Sequence, residues 1–179
     1  GTHKVAAAQD YDRTMAESSG GCKFLVFAHH KEVLDGLEAA VASAGSRYIR
    51  IDGGTDMRLR HDLVQRYQSD PDMQVAILSI TAAGTGLTLT AATAVVFAEL
   101  HWVPGVIMQA EDRAHRIGQQ HCVNVHFLIA KGTADDYIWP SLNRKLSVVG
   151  SALDGCRGEG LEGEQVTARG GSSVARADG

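Results

Sequence analysis

The stretch from Gln109 to Gln119, QAEDRAHRIGQ, gathers the residues best suited to chemistry. On a helix, Gln109, Arg113 and Arg116 stand four and three positions apart and share one face. Each guanidinium is a rigid, permanently charged fork, so two presented together can grip the oxygens of a terminal phosphate. Charge spreads over those oxygens during phosphoryl transfer, where one arginine is worth about 10³ or more in rate. For an isolated DRxxR the commoner arrangement is a solvated helix face, with Arg113 and Arg116 paired to Glu111 or Asp112. The full eleven-residue string is far more specific.

A second segment, Leu78 to Leu89 (LSITAAGTGLTL), follows an apolar run. Gly84 and Gly86 permit positive φ or close backbone approach, as a loop lying against phosphate or sugar requires. Ser79, Thr81, Thr85 and Thr88 add hydroxyls of the kind that hold a nucleic-acid backbone. Taken alone, such a loop is usually a turn. In Arg50 to Thr55 (RIDGGT), the N–H groups of Gly53 and Gly54 can face an anion, with Thr55 at a helix start. An ordinary turn and N-cap fit that string as well. Trp102, in His101-Trp102-Val103-Pro104, can stack or wedge against DNA if exposed, although a large core residue is the default.

These segments need elements to hold them. Phe24–Ala28 (FLVFA) has the continuous apolar character of a strand buried on both faces. Lys31–Ala44 carries Val33, Leu34, Leu37, Val41 and Ala44 on one helical stripe, ended by Gly45 as C′ residue. Arg47–Ile51 is the next expected strand. Thr55 then caps a helix whose stripe is Leu59, Leu63, Val64 and Tyr67. Gln74–Ser79 and Ala94–Ala98 follow as strands, and Pro104 opens a helix to about His115. Val123–Ala130 is a fifth strand, and Ala134 to about Val149 a last helix kinked at Pro140. Strands alternating with helices imply an α/β fold with a parallel sheet and helices on both faces. Catalytic and ligand residues are then expected at the carboxyl ends of the strands, the two arginines included. Residues 1–20 are expected to form a short polar helix and linker, 21–150 the α/β domain, and 151–179 a disordered Gly-rich tail.

A chain of 179 residues can build a real core, and its 44% apolar and 21% charged composition is that of a soluble globular protein. A net charge of −4 leaves any nucleic-acid contact to a local surface rather than the whole domain. Cys22, Cys122 and Cys156 form no CxxC pair, which fits a reducing, intracellular setting and neither a disulfide framework nor a zinc site. His29–His30 and His121–Cys122 lack partners at ligand spacing, so no metal site is expected. No apolar run approaches the roughly 20 residues that span a bilayer, and no membrane partner is expected.

In order, FLVFAHH, RIDGGT, ILSITAAGTGLTLTAA and QAEDRAHRIGQ resemble motifs IV to VI of the C-terminal helicase lobe of SWI/SNF-type ATPases, in helicase superfamily two. The resemblance runs from about Lys23 to Gly150, and DRAHRIGQ is its most specific part. KFLVFAHH, YIRIDG, VVFAEL and KGTADDYIWP are similar to the HepA-related annealing helicases. LNRKLSVVGSALDG is closest to their branch with a Ran-binding-type zinc finger elsewhere. The resemblance implies a RecA-like lobe of a nuclear, ATP-dependent DNA translocase that remodels forked DNA in repair. Arg113 and Arg116 would be arginine fingers, and Gln109, Gly84 and Gly86 would line the nucleotide interface. Gly53, Thr55, Ser79, Thr81 and Trp102 would lie toward DNA. A nucleosome-sliding remodeller and a stand-alone α/β binding module are the alternatives. Two departures from the wider family stand out: Val103 replaces the usual Asn between Trp and Pro, and Ile80-Thr81 replaces Thr-Arg, the second being shared by the annealing subgroup. No GxxxxGK[ST] and no DEAH-like string occurs, so ATP and Mg²⁺ would be held mainly by a separate first lobe, and this chain alone would be inactive.

Overall fold

The computed structural model describes residues 22–82, 86–114, 123–130 and 132–153. The elements run β1 (Phe24–Ala28), α1 (Lys31–Ser43), β2 (Arg47–Ile51), α2 (Met57–Ser69), β3 (Met73–Ser79), β4 (Ala94–Phe97), α3 (Pro104–Ala114), β5 (Asn124–Phe127) and α4 (Asp135–Leu153). All strand pairs are parallel, in the order β2-β3-β1-β4-β5. The helix expected before residue 18 and the tail beyond Leu153 lie outside the described residues.

Burial follows strand position. Every residue of β1 and β4 is buried, as both-face coverage of central strands requires. At the β2 edge, Ile49 and Ile51 are buried while Tyr48 and Arg50 are partly exposed, a period of two. Two cores result. On one face α1 sets Val33, Leu34, Leu37 and Val41 against Phe24, Val26, Val75, Ile77 and Val96. On the other, α2, α3 and α4 contribute Tyr67, Ile107, Ala110, Ile138 and Leu142 against Leu25, Phe27, Leu78 and Phe97. There Phe27, Phe97 and Phe127 stack across three strands at 5.4 and 5.1 Å, and Trp139 of α4 continues the row at 5.0 Å.

Helix ends are settled locally. Gly45, at φ +79°, closes α1 in a Schellman motif: its N–H donates to the Ala42 carbonyl and that of Ser46 to Val41. Lys23 donates to the carbonyls of Tyr67 and, at 2.7 Å, Asp70, placing a cation at the carboxyl end of α2.

Several expectations need correction. Asp56, not Thr55, caps α2, its carboxylate accepting the Arg58 N–H at 2.8 Å. Leu59 is half exposed, because only Val64 and Tyr67 of that helix reach the sheet fully. β3 starts one residue early, at Met73, and β4 and β5 stop at Phe97 and Phe127. α4 runs through Pro140 to Leu153, past the expected helix end near Val149. Near the first turns a proline removes one hydrogen bond without ending the helix.

Candidate functional site

Because the strands are parallel, the segments leaving β1, β2, β3 and β4 all emerge at one edge of the sheet. After β2, Asp52–Thr55 forms a tight turn. The Thr55 N–H donates to the Asp52 carbonyl at 3.2 Å, and the Asp52 carboxylate accepts from the Gly54 N–H at 2.9 Å. The Thr55 hydroxyl accepts the Asp52 N–H at 3.0 Å. Thus Thr55 pins the turn rather than facing outward, and the Gly54 N–H is already used. Gly53 and Gly54 are exposed, and open space surrounds the position of a Cβ on Gly53.

Two arginines brace this turn. Arg60 of α2 donates from Nε to the Thr55 carbonyl at 2.9 Å and from Nη2 to the Asp52 carbonyl at 3.0 Å. Arg50 binds Asp35 at 2.7 Å, Glu38, and Asp52 at 3.1 Å, tying α1 to the turn. Burial works against charge on Arg50, yet the Asp35 and Glu38 carboxylates outweigh it and raise the guanidinium above its ordinary range. Burial likewise opposes ionisation of Asp52, but the Gly54 N–H and Arg50 hold its carboxyl below the usual range.

At the exits of β1 and β4, Glu99 takes the N–H groups of His29 and His30 at 2.7 and 2.8 Å, and its other oxygen meets His30 Nδ1 at 2.8 Å. His30, the N-cap position of α1, makes no side-chain capping bond of its own, so Glu99 supplies the anion there. Burial disfavours the Glu99 charge, but the His30 and His29 N–H groups and the His30 ring outweigh it, lowering its pKa. The His29 ring lies 5.0 Å from His30 and 6.0 Å from His101. Among the described residues no group of three or more His, Cys, Asp or Glu side chains is placed to hold a metal ion.

Ser79 and Thr81 come together, hydroxyl to hydroxyl at 2.7 Å, with Thr81 exposed and Ser79 buried. Gly86 is exposed with φ +77°, a conformation that selects glycine. Gly84 lies outside the described residues. Trp102 is 59% exposed, with Val103 also on the surface, so the default of a core tryptophan does not hold.

The arginine helix answers the sequence only in part. Gln109 is exposed and Arg113 partly so, and Arg113 Nε donates to the Gln109 carbonyl at 3.1 Å, so the two share a face. Arg116 lies outside the described residues. No described carboxylate pairs with Arg113. Its position corrects one expectation. α3 leaves the carboxyl end of β4 and leads back toward the start of β5, so Arg113, on its last turn, lies toward the opposite edge of the sheet. The physical reason is the crossover itself, which runs a helix antiparallel to the strands it joins. The placement at the carboxyl edge on which the sequence reading hung is therefore not met by Arg113.

Arg60, Glu99 and Gln68 were missed from the sequence. Arg60 and Gln68 lie in an amphipathic helix where polar residues read as solvated, and only the Glu in VVFAEL, closing an apolar run, signals an unusual carboxylate. Gln68 holds the segment after the Gly-rich loop: its Nε2 donates to Thr90 Oγ1 at 3.1 Å, and its Oε1 accepts the Ala91 N–H at 2.8 Å.

This sheet, its helices and its motif order define a RecA-like helicase lobe. Residues 6–118 match the helicase conserved C-terminal domain, and the chain belongs to that family. It is 56% identical over 152 residues to the mouse DNA annealing helicase and endonuclease ZRANB3, spanning 85% of this chain and 14% of that protein. The human counterpart is 54% identical over 162 residues, 90% of this chain and 15% of that one. Xenopus tropicalis SWI/SNF-related matrix-associated actin-dependent regulator of chromatin subfamily A-like protein 1 is 52% identical over 149 residues, 83% of this chain and 16% of that one. The chain thus spans under a fifth of these relatives. Among solved structures, the C-terminal part of the Fun30 ATPase domain superposes with a TM-score of 0.72 at 31% identity, covering 78% of this chain and 44% of that one.

Proposed function

We propose that this chain is the second motor lobe of an ATP-dependent DNA translocase of the annealing-helicase kind. Its substrates are ATP with Mg²⁺, and it acts on forked or junction DNA during replication-fork repair in the nucleus. The identity of 54–56% to annealing helicases supports this assignment. The observation that carries it is Arg113: a partly exposed guanidinium with no described carboxylate partner, on a helix that presents Gln109 beside it.

The side chains here fit a partner in phosphoryl transfer rather than a nucleotide holder. No described cluster suits a metal ion, and the sequence has no lysine-bearing phosphate loop. ATP supplies the transferable phosphoryl group, and its base, phosphates and Mg²⁺ belong to a companion lobe. Arg113 and Arg116 neutralise charge on the terminal phosphate oxygens when the two lobes of the same protein close. Gln109 and the loop bearing Gly84 and Gly86 lie along the lobe interface. DNA runs along the carboxyl edge, where Gly53 allows close backbone approach, the Ser79–Thr81 pair offers an exposed hydroxyl, and Trp102 presents an open ring. Thr55 acts there by fixing the turn.

In the two-lobed ATPase, Arg113→Ala or Arg116→Ala lowers DNA-stimulated ATP turnover by about 10³ while DNA affinity holds within a few-fold. Turnover unchanged in both variants removes the assignment. Stimulation by forked DNA over nucleosomes separates fork remodelling from nucleosome sliding. The chain alone is expected to show no ATPase activity.

A further inference from the structure

Between the carboxyl edge and Arg113 the structure contains a succession of contacts that runs through α2. At its start, Arg60 fastens the first turns of α2 to the Asp52–Thr55 turn through two carbonyls. Along its length, Val64 and Tyr67 bury α2 against the sheet, and the Tyr67 hydroxyl donates to the Phe24 carbonyl at 3.2 Å. Near its end, the Gln68 amide uses both of its polar atoms on Thr90 and Ala91. One residue before Thr90, the buried Leu89 donates its N–H to the carbonyl of Arg113 itself at 2.9 Å. The segment Gly86–Thr93 is therefore held on one side by α2 and on the other by the residue assigned to the phosphate. That segment has no regular secondary structure, so its side contacts fix where it lies.

We propose that α2 is the rod through which DNA engagement at the Asp52–Thr55 turn reaches Arg113, and that Gln68 is the positioning residue at the coupling end. This rests on the motor-lobe assignment above. Gln68 touches neither DNA nor nucleotide; it sets the height of residues 89–91, and through Leu89 the carboxyl end of α3. A displacement of the turn by DNA is carried by a stiff helix anchored at both ends, since a packed helix transmits shifts rather than absorbing them. The coupling therefore appears in how strongly DNA accelerates turnover, not in how tightly DNA binds.

The test uses the two-lobed ATPase. Gln68→Met keeps side-chain length and removes both hydrogen bonds. Gln68→Glu keeps the Ala91 bond and exchanges the other for one in which the Thr90 hydroxyl donates to the carboxylate. Gln68→Met is expected to lower DNA-stimulated turnover by about fivefold or more, the low end of ordinary coupling between sites. Its DNA-free rate and DNA half-saturation stay within about twofold of the parent on the same scale. Gln68→Glu restores most of the stimulation. Should Gln68→Met not fold, Thr90→Val removes the acceptor of the Gln68 amide at constant shape and carries the same expectation. Full stimulation in the variant tested, or an equal fall of DNA-free and stimulated rates that Gln68→Glu does not rescue, overturns the coupling role. Arg113→Ala and Arg116→Ala in parallel keep the two ideas apart, because turnover unchanged in both sinks the motor assignment whatever Gln68 does.

Discussion

Removing Glu99 tests how the edge is assembled. Its carboxylate meets three donors from the β1–α1 junction, and the side chain is 13% exposed. A hydrogen bond to a charged group contributes about 1.5–3 kcal/mol, and three would reach well above 5. The histidine donors are exposed, however, and recover water once the carboxylate is gone. Most of the gross energy is therefore returned, leaving a net loss of about 2 kcal/mol for Glu99→Ala. For a chain of this size that lowers Tm by roughly 4–8 °C, and Glu99→Gln, which keeps an acceptor, loses about half as much. The pH dependence has a definite sign. Because the folded pKa of Glu99 lies below its unfolded value, its contribution is complete above the unfolded pKa of about 4.3 and disappears as pH falls through the folded pKa. Melting curves of parent, Glu99→Gln and Glu99→Ala through a falling series of pH values check this, the gap between parent and Glu99→Gln narrowing as pH drops through the folded pKa. Equal Tm values at neutral pH, or a gap that survives unchanged in acid, refute the carboxylate's role.

Gly86→Ala is expected to cost about 1–2 kcal/mol from its positive φ alone, since open space surrounds the new methyl. Gly53→Ala, with no such strain, changes stability by under about 0.5 kcal/mol while weakening DNA stimulation if the backbone approaches there; urea unfolding beside DNA titration separates the two. Phe97→Ala opens the centre of the aromatic row and costs about 3–5 kcal/mol by the same unfolding assay. Arg60→Lys cannot bridge two carbonyls as a planar fork does, so DNA stimulation of ATP turnover falls about three- to tenfold.

Much of the fold was legible because its strands are extreme. FLVFA could only be a strand covered on both faces, and Gly45 could only end a helix. Edge elements were harder. NVHF is a strand because Phe127 completes an aromatic row begun by Phe27 and Phe97, a fact invisible in local pattern. Thr55 and Asp56 are both good capping residues, and only the Asp52 turn decides which is free to cap. In the site, Arg113 with Gln109 followed from helical spacing, whereas its distance from the carboxyl edge required the crossover. Glu99 and Gln68 act across long sequence separations on backbone groups, and such contacts leave no spacing in the chain to find.

The strand order has a consequence for how the chain acquires its shape. Phe24 finds its neighbours in Val75 on one side and Ala94 on the other. A ribosome therefore releases β1 well before either of its partners, and until residues 94–97 emerge one flank of β1 is a bare hydrogen-bonding edge. Fragments truncated ahead of Phe97 should aggregate rather than form a smaller stable sheet, and the chain depends on its second half to protect its first.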